Sequence, residues 1–330
     1  MRAITIREPG GPEVLELAER PDPQPGGADV RVRVHAAGIN RADLLQRMGQ
    51  YPAPPGADPA IPGLEYAGVV DAVGPRAQLR RPGDRVMGLV GGGAYAQYVV
   101  VNERETIRVP EGMDLTTAAA VPEAFMTAHR ALFLEGGLRR GDWAVVRAAT
   151  SGVGMAAVQL IEALGAYAIG TSRSAERLES LKKLGMRAGH VEDGRTPLAD
   201  TVKAASGGQG AAVLLELVGG DDFDANLKAL REEGTLVLVG LLATRRASLD
   251  LGRMLMRRLT IRAMTMRSQP LERKIMLARR FEHELLPLFE TATLRPVIDT
   301  VLPLAQAGEL HERMAGNRHL GKLLLQVAEG

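Results

Sequence analysis

Residues 147–160 read RAATSGVGMAAVQL and directly follow the short apolar run WAVV. The pattern predicts a strand that turns sharply into a helix. The free N–H groups and the positive dipole end at the start of such a helix favour phosphate. We therefore treat this turn as the candidate binding site for the phosphates of a nucleotide cofactor.

A dinucleotide-binding turn has the pattern G-x-G-x-x-G directly after a strand. In the register that begins where the strand ends, the three positions hold Ala149, Ser151 and Gly154. A second register, with Gly152, Gly154 and Ala157, begins three residues later and is expected to lie inside the helix. Both registers leave small residues at the turn. The alternative interpretation is a tight turn whose small residues serve packing only.

The residues after the next strand indicate which dinucleotide would bind. In an NAD site, an acidic residue about 20 positions beyond the turn binds the ribose hydroxyls. Residues 171–174 read TSRS here, and Arg177 follows. Hydroxyls and a guanidinium suit a 2′-phosphate. The sequence favours NADPH over NADH, the alternative being that Arg173 and Arg177 are solvated residues at the start of a helix.

The composition restricts the class of protein. The chain has 330 residues, 45% of them hydrophobic, which suits two globular domains. Its apolar runs are too short for a membrane span, and its N-terminus does not read as a secretion signal. It has no cysteine and six scattered histidines, which excludes disulfides and cysteine zinc sites. We expect a cytoplasmic protein without a metal.

Two patterns divide the chain. Up to about residue 110, short strand-like runs separated by Gly and Pro predict a β-rich block. It is interrupted by a short helix at 40–49 and a Pro-rich loop at 50–63. From about residue 116, helical patterns alternate with β-branched runs, which predicts a doubly wound, six-stranded parallel sheet. The last segments read as helix, loop, helix and strand, and the strand LLLQV could return to the first block.

Some helix boundaries also carry local signals. Ser174 is expected to be the N-cap of one helix, and Pro197 the first residue of the next. A further helix is expected around residues 222–232, DFDANLKALRE.

Several stretches together resemble one known family. They are AAGINRADLLQRMGQYPAPPG, IPGLEYAGVV, PGDRVMGL, GGGAYAQYVVV, AAAVPEAFMTAHRAL, RAATSGVGMAAVQL, VGLL and NRHLGKLLL. With them, the chain resembles the medium-chain dehydrogenase/reductase superfamily, in its zinc-free quinone oxidoreductase branch, which includes zeta-crystallin. Within this branch it is most similar to the NADPH-dependent, stress-inducible quinone oxidoreductases. The resemblance implies a Rossmann domain at 124–266 and a GroES-like catalytic domain at 1–123 and 267–330.

The resemblance also indicates a reaction without zinc. Zinc-dependent members have a Cys near the position of Asn40, and Gly-His-Glu where this chain has Gly63, Leu64 and Glu65. Leu64 cannot bind zinc. Without a Lewis acid, the substrate must already be a good hydride acceptor, such as a quinone or an enone.

Catalytic residues are carried over from the family motif. The resemblance implies that Asn40, Asp43 and Tyr51 line the nicotinamide end of the site. Tyr51 and Asn40 can donate hydrogen bonds to an oxygen that gains charge, and Asp43 can orient the others. The alternatives are that Asn40 is a helix N-cap and that Tyr51 packs the loop.

Cofactor-binding residues follow in the same way. The resemblance implies that NADPH contacts Thr127, Ser151, Gly152, Val153, Ser172 and Arg173, with Gly219, Gly240, Leu241, Leu242 and Lys322 as further candidates. Lys322 is expected to reach a phosphate, unless it is an ordinary surface lysine. Where many relatives have a Tyr after the third strand, this chain has Glu192.

Three functions therefore stay open. The first is an NADPH:quinone oxidoreductase, and the second an NADPH-dependent enone or enal reductase. The third is a nucleotide-bound RNA-binding or structural protein, since residues 245–280 are rich in arginine, but this stretch lacks interleaved aromatics, so a nucleic-acid partner is not expected. A homodimer is expected through the edge strand near 259–266, whose apolar edge would otherwise be exposed.

Overall fold

Within residues 1–328, which the computed structural model describes, the chain forms fifteen strands. In chain order they are β1 (Arg2–Ile6), β2 (Leu15–Glu19), β3 (Asp29–Gly38), β4 (Glu65–Val73), β5 (Arg85–Leu89), β6 (Tyr98–Asn102), β7 (Ile107–Arg108), β8 (Trp143–Val146), β9 (Tyr167–Ser172), β10 (Met186–Val191), β11 (Ala211–Glu216), β12 (Leu230–Leu238), β13 (Thr260–Ala263), β14 (Ile298–Pro303) and β15 (Lys322–Gln326).

The same part of the chain forms eleven α-helices. They are α1 (Arg41–Arg47), α2 (Leu115–Ala118), α3 (Pro122–His129), α4 (Gly152–Leu164), α5 (Ala175–Leu181), α6 (Leu198–Ala205), α7 (Phe223–Leu227), α8 (Leu251–Met256), α9 (Leu271–Glu284), α10 (Leu286–Glu290) and α11 (Ala307–Ala315). None of these helices has the length and apolar character needed to cross a membrane.

The chain folds as two units, one inserted into the other. Met1–Met126 and the residues from Met266 onward form the first unit, and Thr127–Thr265 form the second. The predicted boundaries, after residues 123 and 266, differ from these by three residues and one residue.

The sheet of the second unit has six parallel strands in the order β10-β9-β8-β11-β12-β13. The strand order reverses between β8 and β11. All residues of β11 are buried, as expected for a central strand that is covered on both faces. The predicted doubly wound sheet is thus confirmed. In such folds, ligands bind at the carboxyl ends of the strands beside the reversal.

Local predictions in this unit had mixed outcomes. Ser174 is the N-cap of α5, as predicted, and its hydroxyl accepts the N–H of Arg177 at 3.3 Å. Pro197 is the N-cap of α6 rather than its first residue, because its ψ of 139° is extended. The helix predicted over 222–232 ends at Leu227, since the fully buried Leu230 already pairs in β12.

The first unit contains a mostly antiparallel sheet of seven strands. Six follow the order β14-β15-β3-β4-β5-β7, and β6 also pairs with β3. The predicted return of the LLLQV strand to the first block is confirmed, because β15 pairs with β3 with Leu324 opposite Gly38. This pairing brings Lys322 close to Asn40. β14 was not predicted, because its residues are only half-buried or exposed and lack strand alternation.

Candidate functional site

The turn between β8 and α4 has the predicted strand–turn–helix form. Ala148 has a φ of 49°, in the left-handed region that non-glycine residues rarely adopt. Ser151 is the N-cap of α4, and its Oγ accepts the N–H of Gly154 at 3.1 Å. Within residues 1–328, the N–H groups of Gly152 and Val153 have no hydrogen-bond partner. Two free N–H groups therefore stand at the start of a long helix, which suits a phosphate.

Gly154 fulfils the third glycine position of the motif. A Cβ here would lie 2.5 Å from the Ala148 carbonyl oxygen and 2.6 Å from Ala149 Cα. A side chain at this position would push α4 away from the turn. The first register, with Ala149, Ser151 and Gly154, therefore describes the structure, whereas the second register lies within the helix, which begins at Gly152.

The residues predicted to bind the ribose of the cofactor lie at the carboxyl end of β9. Ser172 Oγ accepts the N–H of Ser174 at 3.2 Å, so its hydroxyl hydrogen remains available to a ligand. Arg173 is exposed, and within residues 1–328 its guanidinium has no hydrogen-bond or ion-pair partner. A free guanidinium beside a hydroxyl is a suitable environment for a phosphate.

Two glycines follow the strands on the other side of the reversal. Gly219, after β11, has a φ of 67°, and a Cβ there would lie 2.7 Å from Leu241 Cδ2. Gly240, after β12, would place a Cβ 2.8 Å from the Leu217 carbonyl oxygen. Leu241 and Leu242 are each 46% exposed. Since all strands of this sheet run parallel, these loops lie at the same edge as the turn.

Thr127 provides a separate indication of a ligand. Its side chain is 2% exposed, and its Oγ1 has no hydrogen-bond partner. A buried hydroxyl without a partner costs free energy unless a ligand or water satisfies it. The Thr127 hydroxyl, the free N–H groups of α4 and the guanidinium of Arg173 are chemically suited to an anionic dinucleotide.

Asn40, Glu65 and Lys322 form a buried polar cluster in the first unit. Lys322 Nζ donates to Asn40 Oδ1 at 2.8 Å and to Glu65 Oε1. Its third acceptor is the Ile39 carbonyl oxygen at 3.3 Å. Asn40 Nδ2 donates to Glu65 Oε1 at 2.9 Å and to the Gly38 carbonyl oxygen at 3.4 Å. Lys322 is only 5% exposed, so the interpretation of Lys322 as a surface lysine is wrong.

This cluster bears on two expected roles. All three ammonium hydrogens of Lys322 are directed at acceptors of its own unit, which does not favour the predicted contact with a cofactor phosphate. The amide hydrogens of Asn40 are directed at Glu65 and Gly38, which does not favour donation to a substrate. Asn40 occupies the N-cap position of α1, the alternative that the sequence left open.

Asp43 is fully buried. Its carboxylate accepts the N–H of Asn40 at 2.8 Å, the N–H of Gly63 at 3.2 Å and the hydroxyl of Tyr95 at 2.9 Å. Burial raises the pKa of Asp43 to about 6, although these hydrogen bonds oppose the shift. Asp43 fixes the start of α1 to the loop that precedes β4, which is the geometry of an orienting residue.

His311 extends this buried chain of polar groups. His311 Nε2 lies 3.3 Å from the Tyr95 hydroxyl, and His311 Nδ1 lies 3.3 Å from Arg47 Nη1. Burial and the charge of Arg47 lower the pKa of His311 to about 3, so the ring is neutral at pH 7. No local sequence pattern indicates this contact, because 216 positions separate Tyr95 from His311.

Tyr51 lies beside a buried arginine that the sequence analysis missed. The guanidinium carbon of Arg267 is 5.2 Å from the Tyr51 ring centroid. The guanidinium donates to the carbonyl oxygens of Gly91 at 2.7 Å and Tyr51 at 3.2 Å, and also to Gln46 Oε1. Within residues 1–328, the half-buried Tyr51 has no hydrogen-bond partner for its hydroxyl. The sequence does not single out Arg267, because it lies in a basic stretch whose pattern is typical of a solvated surface.

Arg267 also lines a cavity within the first unit. The cavity has an empty volume of about 440 Å³, part of it open to solvent. Its apolar lining includes Leu64, Leu89, Val90, Met126 and Leu277. Glu105 and Lys274 add an ion pair with a separation of 3.6 Å.

Two family models match this chain. Residues 26–111 match the alcohol dehydrogenase GroES-like domain, and residues 152–281 match the zinc-binding dehydrogenase model. The quinone oxidoreductase of Rattus norvegicus is 31% identical over 98% of this chain and 97% of its own length. The chain belongs to the medium-chain dehydrogenase/reductase superfamily. A 36% identical match covers 99% of this chain but only 9% of a pikromycin polyketide synthase component, PikAII, of Streptomyces venezuelae.

Solved structures of other superfamily members are similar over the whole chain. An NAD-dependent alcohol dehydrogenase has a TM-score of 0.89 at 33% identity, covering 99% of this chain and 100% of that one. The Escherichia coli quinone oxidoreductase in complex with NADPH has a TM-score of 0.87 at 26% identity, with coverage of 99% and 100%.

The zinc position of the superfamily has a different set of side chains here. Leu64 stands where zinc-dependent members have a histidine, and it is buried. Lys322 places a positive charge against Glu65, which disfavours a second cation at the same carboxylate. The donor set of this superfamily member therefore does not fit zinc.

Proposed function

We propose that this protein is an NADPH-dependent quinone oxidoreductase that transfers a hydride to a quinone without zinc. The observation that carries the proposal is the set of side chains at the zinc position of the superfamily, namely Leu64, Glu65 and Lys322. It leaves no set of ligands for a Lewis acid at the zinc position of the superfamily. A substrate must then accept hydride without metal assistance, which quinones do and simple alcohols do not.

The relatives support the same class of reaction. Quinone oxidoreductases are among the proteins similar to this chain over nearly its full length, and the Escherichia coli enzyme binds NADPH. The similarity to an NAD-dependent alcohol dehydrogenase makes NADH the alternative cofactor. The exposed guanidinium of Arg173 and the hydroxyl of Ser172 favour NADPH, since both can bind a 2′-phosphate.

In the proposed reaction, the protein binds and polarises the acceptor. When bound, the nicotinamide supplies the hydride. The unpaired hydroxyl of Tyr51 donates to the quinone oxygen that gains negative charge, and a preorganised donor of this kind lowers the barrier. Arg267 holds the Tyr51 ring and the loop behind it, and Asp43 holds the start of α1. In this proposal Asn40 supports the site through Lys322 and Glu65, whereas Tyr51 contacts the substrate.

A comparison of acceptors tests the proposal. NADPH and NADH oxidation are measured side by side with ortho-quinones, para-quinones and short alkenals. We expect the highest kcat/KM with NADPH and a quinone. Faster turnover of the alkenals would instead identify an enal reductase, and turnover of none of these acceptors would reject both reactions.

A further inference from the structure

Glu192 lies beside the residues that would bind the ribose of the cofactor. It directly follows β10, and its N–H donates to the Ser172 carbonyl oxygen at 2.9 Å. Its Oε1 accepts the hydroxyl of Thr171 at 2.7 Å. The side chain is 24% exposed. A carboxylate therefore reaches the carboxyl end of β9 from the neighbouring strand, at Thr171 and Ser172, and Arg173 is the next residue along the chain.

By its charge alone, Glu192 would weaken the binding of the proposed cofactor, NADPH. An acidic residue at the end of this second strand binds the ribose hydroxyls in NAD sites. The same charge repels a 2′-phosphate, since like charges close together in a partly desolvated site destabilise binding. An isolated Glu192 would thus favour NADH over NADPH.

Arg147 compensates this charge from the protein interior. Its Nε lies 2.8 Å from Glu192 Oε1, and its side chain is 4% exposed. Its Nη1 is farther, at 3.7 Å, from Glu216 Oε2. Glu216 accepts three other hydrogen bonds, from the N–H of Val218, the N–H of Gly219 and the amide of Asn226. The nearest charged partner of Arg147 is therefore Glu192, an ion pair without a hydrogen bond from Nε, and the low exposure of Arg147 strengthens this Coulomb interaction.

We infer that the partly buried ion pair of Arg147 with Glu192 sets the coenzyme preference, because Arg147 offsets a negative charge that would otherwise disfavour the 2′-phosphate. This inference rests on the proposed function for the identity of the cofactor. It identifies Arg147 as a charge-balancing residue that acts on the ligand through Glu192. The free Arg173 then binds the phosphate without competition from a nearby acid.

Binding measurements on a set of variants test the inference. Dissociation constants for NADPH and NADH are measured by calorimetry at pH 7.5 and fixed salt. The fragments 2′,5′-ADP and 5′-AMP are measured in parallel. In Arg147→Met, the preference for the phosphorylated ligand should fall at least about tenfold, because Glu192 is no longer compensated. Glu192→Gln should raise the preference, and the double variant should restore it to near the wild-type value.

A matched control separates this effect from a general change in charge. Arg187 lies in β10, the strand that precedes Glu192, and forms an exposed ion pair with Glu162 at 3.0 Å. Arg187→Met makes the same change in net charge and should leave the preference unchanged. Arg147→Lys, which retains the positive charge, should keep most of the wild-type preference.

The results distinguish two separate failures. A wild-type protein that binds NADH more tightly than NADPH overturns the proposed cofactor. The inference is overturned if Arg147→Met leaves the ratio of the NADPH and NADH dissociation constants unchanged. It is also overturned if the double variant does not restore this ratio. Should Arg147→Met fail to fold, the Glu192→Gln variant tests the inference instead, because it retains the buried Arg147 side chain. An unchanged or lower preference in that variant contradicts the inference.

Discussion

At the scale of single residues, the tertiary structure separates groups that contact ligands from groups that hold others in place. Asn40, Asp43 and Tyr51 come from one short sequence motif, yet their environments differ. Asp43 is fully buried and Asn40 is bonded to Lys322, whereas only Tyr51 keeps an unpaired hydroxyl. Arg267, which no sequence motif indicated, lies beside the ring of Tyr51.

The proposed donor role of Tyr51 predicts the effect of removing one oxygen atom. Tyr51→Phe should lower kcat/KM for a small quinone by roughly tenfold to a hundredfold, because the developing oxyanion loses a hydrogen bond. The affinity for NADPH should stay the same. Tyr98→Phe is the control, since Tyr98 stacks on Arg31 in a different strand. Equal activities of Tyr51→Phe and the wild type would exclude the donor role.

His311 predicts a pH dependence of stability. Its folded pKa of about 3 lies below the unfolded value of about 6.5. The unfolded chain therefore binds more protons between these values, and stability is lost as the pH falls from 6.5 towards 3, by up to about 1.4 kcal/mol per pH unit. Asp43, with a raised pKa of about 6, acts in the opposite direction between about pH 4 and 6.

A variant separates these two contributions. In His311→Gln, Asp43 and the other titrating groups still contribute but His311 does not, so the stability advantage of the wild type over the variant should shrink as the pH falls below 6.5. Urea unfolding at pH 7, 6 and 5 measures this difference. A difference that does not change with pH would show that His311 titrates alike in both states.

At the scale of secondary structure, the turn before α4 depends on a close approach of helix and strand. Ser151 caps the helix, and the missing side chain of Gly154 lets α4 pack on Ala148 and Ala149. The packing interpretation and the ligand interpretation of the motif are therefore compatible. The small residues bring the helix start into place, and two N–H groups stay free.

Gly154→Ala tests this arrangement. The added methyl group would lie 2.5 Å from the Ala148 carbonyl oxygen, so α4 must move. We expect NADPH affinity to fall at least about tenfold, together with a loss of roughly 1–3 kcal/mol in stability. Gly26→Ala is the control, because a Cβ there meets no atom within 4 Å. Unchanged NADPH binding in Gly154→Ala would contradict the assignment of this turn to the cofactor.

At the scale of the whole molecule, the second unit has an apolar surface beside an open sheet edge. Within residues 1–328, β13 pairs only with β12. Leu251, Leu255 and Met256 of α8, shortly before this strand, are 70%, 78% and 75% exposed. An apolar patch next to a free strand edge favours self-association. The homodimer predicted through residues 259–266 is consistent with this surface and stays a prediction.

A charged residue in the patch tests the dimer. Leu255→Glu should shift the protein from dimer to monomer at micromolar concentration, because a carboxylate would be buried at the interface. Sedimentation velocity measures the change, and Leu79→Glu, at a 44% exposed position in the first unit, is the control. A wild-type monomer would contradict the prediction.

The arginine-rich stretch at 245–280 also has an explanation at this scale. Arg253 pairs with Asp224 and Asp250, and Arg258 pairs with Glu232 and Glu233. Cations that are already paired with acids are less available to nucleic-acid phosphates. This pairing favours a structural role for the stretch over RNA binding.

The sequence alone determined the local features of this protein. Strand and helix periodicity predicted the six-stranded parallel sheet, and the cap at Ser174 and the small residues of the turn were local signals. These features depend on neighbours within a few residues. The leucine at position 64 and the absence of cysteine, which both argue against a zinc site, were likewise evident from the sequence.

Only the tertiary structure decided the contacts between distant positions. Lys322 reaches Glu65 across 257 positions, and Arg267 reaches Gln46 across 221. Arg147 and Glu192 meet because β8 and β10 both flank β9. No periodicity encodes such pairs, since they follow from strand order and from the burial of charges that must find a partner. For this reason the sequence indicated the cofactor turn, whereas the fold identified the residues that support it.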